Sequence, residues 1–106
     1  MALSYNDLMT RPWTTYEDSG DKANVTGGVV PVRLMAATVM SPAAAGHIEI
    51  YDALTVTGTP IMQINSLARD TGIIRFGPAG IRLSTGLTVD ATGSIDSYTL
   101  FYMLEN

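Results

Sequence analysis

The sequence predicts an all-β domain, and three observations carry that expectation. Apolar residues recur at every second position in several short runs, which places them on one face of a strand. Clusters of Gly, Pro, Ser, Thr, Asn and Asp separate the runs at intervals of roughly 8–12 residues, the spacing of a sandwich or barrel. Strict helical periodicity is absent after residue 10. Together they predict a small antiparallel β-sandwich or jelly-roll-like barrel with an extended N-terminal arm. The arm takes residues 1–28 and the core residues 29–106.

The arm differs from the rest in texture. It holds six of the sixteen charged residues, Asp7, Arg11, Glu17, Asp18, Asp21 and Lys22. It also holds three of the eight aromatics, Tyr5, Trp13 and Tyr16. Ser4, with Asp7 three positions later, fits the cap of a single helical turn. Arg11-Pro12 would end that turn, because the residue before proline avoids the helical region. Exposed aromatics forgo a large burial gain. Tyr5, Trp13 and Tyr16 are therefore the candidate partner-binding residues, anchors by which the arm docks.

The core begins with Val30, Val32 and Leu34 alternating with Pro31, Arg33 and Met35, a run that continues to Met40. Pro31 predicts a start at a sheet edge. Ser41-Pro42 and the small residues up to Gly46 predict a turn. His47 to Tyr51 is a clear short alternation, followed by a loop over residues 52–59. Ile61 to Asn65 forms the next strand, residues 66–71 turn, and Ile73 to Phe76 pairs again. Gly77 to Gly80 leads into Ile81–Tyr102, where Ile81, Leu83, Leu87 and Val89 alternate with polar residues before Ala91-Thr92-Gly93-Ser94. This stretch is expected to be a hairpin at the centre of the domain. Tyr98, Leu100, Tyr102 and Leu104 line one face of the last strand, and Phe101 and Met103 the other. A strand apolar on both faces sits centrally or under a partner. Seven strands are expected in all.

Composition sets further bounds. A chain of 106 residues is one domain, or one small domain with an appendage, and 46% apolar residues suffice for a core. Charged residues make up only 15%, against roughly 25% in an average soluble domain, so part of the surface is expected to lie under a neighbouring subunit. The net charge of −4 and the scattered Lys and Arg argue against a nucleic-acid partner. Absence of cysteine removes disulfides, thiolate metal sites and cysteine nucleophiles together. No signal-peptide pattern opens the chain and no apolar run approaches about 18 residues, so neither secretion nor a membrane is expected. A β core this small, without a staple, is expected to gain stability by oligomerisation.

The chain offers little for catalysis. Asp70-Thr71-Gly72 resembles the active-site tripeptide of aspartic proteases, whose retroviral members dimerise to bring two such carboxylates together. The neighbours differ: Ala68-Arg69 precedes and Ile73 follows. A cation beside the dyad would keep both carboxylates ionised, whereas the mechanism needs one protonated. A turn is the expected role. His47 is the single histidine and has no predicted catalytic partner. Asp52, Asp90 and Asp96 fall in predicted loops, where oxygen ligands could converge on calcium, but their spacing matches no calcium loop. They are expected to be solvated. Gly77 to Gly80 lacks the residues of a phosphate loop, and Asn24-Val25-Thr26 fits the glycosylation triplet by chance. No catalytic residue, cofactor or metal is expected, and the methionines are expected to fill core gaps.

Several segments, taken in order, carry a resemblance. They are Ile48-Glu49-Ile50-Tyr51-Asp52, Gly58-Thr59-Pro60-Ile61, Ser84-Thr85-Gly86-Leu87-Thr88-Val89 and Thr92-Gly93. Residues 29–104 resemble small β-sandwich virion proteins of tailed bacteriophages. The resemblance implies a non-enzymatic structural protein, most concretely a capsid decoration or cement protein. Its partners would be itself, as a homotrimer, and the major capsid protein or another virion protein. Its location would be the virion, assembled in the host cytoplasm. A tail, fibre or head–tail accessory subunit is the alternative, and a carbohydrate- or protein-binding β module the next.

Overall fold

In a computed structural model, residues 13–77 and 79–105 are described, and Tyr5 and the expected helical turn lie outside them. The described residues form eight strands: β1 (Thr14–Asp18), β2 (Val32–Met40), β3 (Gly46–Tyr51), β4 (Met62–Ser66), β5 (Thr71–Arg75), β6 (Ile81–Leu83), β7 (Thr88–Gly93) and β8 (Ser97–Leu104). One sheet has the order β1-β8-β2-β5, with β6 also on β2. The other has the order β4-β3-β7, and every pairing is antiparallel. The fold is therefore all-β, two antiparallel sheets packed on each other.

Alternation decides which side chains meet between the sheets. Val32, Leu34, Ala37 and Val39 of β2 and Tyr98 and Leu100 of β8 face Ile48, Ile50, Ile64 and Val89. Leu83 and Leu87 close one end. Burying each such aliphatic side chain contributes about 1.5–3 kcal/mol, so these two strands carry much of the stability. The register of β2 on β8 shifts between Leu34 and Ala36. The bulge turns Met35 away from the main core, where it packs with Met103 in a second small cluster. This gap-filling use of methionine is the expected one for these two; Met40 stands exposed.

Three expectations change. Ile81–Tyr102 is not a hairpin: β6 and β8 pair with β2, while β7 pairs with β3 in the opposite sheet. Residues 94–96 are an arch between sheets. At that crossing the Ser94 carbonyl passes so close to Gly46 that a β-carbon there would collide with it. The strand after Pro31 is interior, not an edge. Pro31 stands one residue before β2, so its missing N–H costs no ladder bond, and its carbonyl accepts from Glu105 N at 3.1 Å. There are also eight strands, not seven, because residues 14–18 pair with β8.

The N-terminal segment then crosses to the other sheet. Lys22 exchanges two backbone hydrogen bonds of 2.9 Å with Val89, and Val25 N donates to Leu87 O at 2.7 Å. Asn24 adopts a φ of 53° and its side-chain oxygen accepts from Gly28 N at 2.7 Å, which closes the turn before β2.

Candidate functional site

The two outer faces of the sandwich differ in chemistry, and strand parity sets the difference. On the three-stranded sheet, His47 and Glu49 of β3 stand beside Gln63 and Asn65 of β4 and Asp90 and Thr92 of β7. This face is polar and acidic. Glu49 holds His47 Nε2 at 3.3 Å and accepts from the Tyr51 hydroxyl at 3.1 Å. Desolvation, then a hydrogen bond and repulsion from Asp21, hold the Asp90 carboxyl above its ordinary pKa. Asp21 is placed there by its own bond, accepting from Ala91 N at 2.8 Å.

On the five-stranded sheet, apolar side chains share the outer face with Thr15, Glu17, Thr38 and Thr99. Phe101 of β8, Ala36 and Thr38 of β2, and Ile73 and Arg75 of β5, with Trp13, line a groove of about 300 Å³. Trp13 meets Phe101 edge to face with centroids 6.3 Å apart, forming one wall. Ala36 and Thr38 are small, so they form the floor. Ile73, 67% exposed, and Arg75 form the other wall. Ile74, on the opposite side of β5, and Leu67, in the turn before it, are also exposed.

Of the three aromatics singled out by sequence, Trp13 lies in this groove, 46% exposed. Tyr16 does not. It is half-buried against Tyr98, with ring centroids 6.4 Å apart, and its hydroxyl donates to Asp18 Oδ2 at 2.6 Å. Burial and that bond push its pKa up to about 12. Sequence reading missed Ile73, Arg75 and Phe101. Ile73-Ile74 is an apolar pair, so one residue must face outward whichever way the strand lies, and that was the available signal.

The remaining candidates have structural roles. Asp70 lies in the reversal between β4 and β5, and its Oδ1 accepts from Thr71 N at 2.8 Å. Arg69, with a φ of 59°, makes that turn tight. Gly72 approaches the Asn65 carbonyl so closely that a side chain is excluded. Asp52 accepts from the backbone N–H groups of Ser84, Thr85 and Gly86 at 2.8–3.3 Å, tying two loops together. Asp96 donates its N–H to the Met40 carbonyl at 2.8 Å. Among the described residues, no three His, Asp or Glu side chains converge in a metal-binding arrangement.

No family model, curated protein or solved structure matches the chain at a significant level.

Proposed function

We propose that this chain is a non-enzymatic structural subunit of a phage virion, most concretely a homotrimeric capsid decoration protein that binds the shell and stabilises it. The reading rests on the sequence resemblance together with one observation. The outer face of the five-stranded sheet presents Trp13, Phe101 and Ile73 around a shallow apolar groove, not a pocket with converging polar groups. Such a face suits protein contact, where aromatic anchors in small pockets dominate the energy. Many copies on one shell would add weak contacts through multivalency. Sugar recognition fits less well, because Thr38, Arg75 and the indole N–H of Trp13 are the few hydrogen-bonding side chains in the groove, and none is a carboxylate or amide.

Cross-linking and mass spectrometry of purified particles test this reading. Cross-links from Lys22 to the major capsid protein, and heads that open at lower temperature when the subunit is absent, are the expected results. Recovery only with tails would overturn the decoration role in favour of a tail or fibre subunit. Absence from particles would overturn the virion reading altogether.

A further inference from the structure

The five-stranded sheet ends in two unlike strands, β1 and β5. Among the described residues, each has a neighbour on one side only. Both are five residues long. The order β1-β8-β2-β5 contains three successive antiparallel pairings, so β1 and β5 run in opposite directions. A second copy placed by rotation about an axis along the strands would bring its β1 antiparallel to the first copy's β5. The sheet would then continue across the boundary.

Charge and apolar surface favour the same match. Residues 13–18 carry Glu17 and Asp18 and no cation, while residues 69–75 carry Arg69 and Arg75 against Asp70 alone. Asp70 is already engaged with Thr71 N. Ile73 and Ile74 are exposed on the β5 edge, and Trp13 flanks β1. Sheet proteins that stay monomeric blunt such edges with Lys, Pro or a cover. Here β5 has neither Lys nor Pro, and its apolar residues are bare.

We infer that β1 and β5 are the two halves of one head-to-tail joint between copies of this chain, closing a ring in which the sheets run on from copy to copy. The inference rests on the oligomeric reading above and gives its contact surface. Unlike edges make the joint heterologous, and such joints close when the rotation allows. Outward residues remain on one face when Thr15 lies across from Ile73 or Arg75. In both registers Arg75 comes within reach of Trp13, as a cation over an aromatic face.

The test uses the absence of native cysteine. Thr15→Cys and Ile73→Cys chains are mixed and treated with a short bis-maleimide, which tolerates a shift of register. Cross-links between the two variants, with none within either alone, are the expected result. Dimers from Ile73→Cys alone would mean that like edges pair, and would overturn the joint. Light scattering supplies the second measurement. Arg75→Glu and Trp13→Ala should each weaken association about tenfold, and the two together should weaken it by less than the product, because these side chains meet in the joint. Unchanged association in both single variants, or a wild-type chain monomeric at every concentration, would overturn the joint. A monomer that still sediments with particles would leave the virion reading standing, so the two failures are distinguishable.

Discussion

The Tyr98 hydroxyl donates to the Gly20 carbonyl at 2.6 Å, joining two residues 78 positions apart. Tyr98 is fully buried in the core, so this bond fixes the N-terminal segment from within. It stands between β1 on one sheet and the Lys22 bridge on the other. Replacing Tyr98 by Phe keeps the ring against Tyr16 but leaves the Gly20 carbonyl without this partner. A loss of about 1 kcal/mol is expected, read as a lower urea midpoint with an unchanged slope.

The same tyrosines set an alkaline limit. Burial, then the Asp18 bond, push the Tyr16 pKa up to about 12, and burial raises that of Tyr98 as well. A pKa raised in the folded state gives stability that is fully present below the unfolded value of 10.0 and is lost as pH rises through the folded value. Stability should therefore fall between about pH 10 and 12. Tyr16→Phe should flatten part of that fall in thermal melts taken across the range. An unchanged slope would show that Tyr16 ionises as freely as in the unfolded chain.

Seven of the eight strands were legible in the sequence because alternation is a local signal, and β1 was not, because Thr14–Asp18 carries no apolar alternation. The double-sided apolar pattern of Tyr98–Leu104 correctly located β8 in the interior, between β1 and β2. Sheet membership was not legible. Residues 91–96 carry the turn chemistry that serves equally for a hairpin and for an arch, and the choice depends on Gly46, far away in the chain, where the crossing backbone fits. The groove was half legible. Trp13 stood out as an aromatic in a polar segment, but its partners Ile73 and Phe101 come from two distant strands. Only pairing through β2 brings them to one face.

Asp90 and Asp18 give opposite signs in acid. Asp90 is held above its ordinary value by desolvation and by Asp21, so the native state is favoured by its proton and loses that advantage as pH rises through the folded value. Asp18 is held below its ordinary value, first by the Tyr16 hydroxyl, so its contribution is present above 3.8 and is lost as pH falls through the folded value. Asp90→Asn should accordingly raise the melting temperature at pH 7, with the gain shrinking below about pH 4. An increment independent of pH would assign the effect to packing.

Gly72 sets the passage from β4 to β5, because a β-carbon there would run into the Asn65 carbonyl. Backbone cannot yield as a side-chain tip can. Gly72→Ala should therefore cost about 1–3 kcal/mol, the range for overpacking. Asp70→Asn in the same tripeptide keeps an oxygen for Thr71 N and should cost far less. Comparing the two by urea unfolding separates a structural role for the tripeptide from any role of the carboxylate charge.

Glu105 follows β8 with a carboxylate only 3% exposed, paired with Arg33, 15% exposed, and with Arg82 at 3.2 Å. Arg33 also donates to the Ala79 carbonyl at 3.1 Å, so the pair joins β2, β8 and the loop before β6. Arg82 is half exposed and its share is screened by solvent. A buried pair returns little net stability over apolar residues of similar size, because desolvating two ions offsets their attraction. Breaking it leaves one ion buried alone. Glu105→Gln should therefore cost about 3 kcal/mol, while Arg33→Met with Glu105→Met should be nearly neutral. The double-mutant cycle, read by urea unfolding, would show strong coupling between Arg33 and Glu105 if the pair fixes the strand ends, and additive losses if each acts alone.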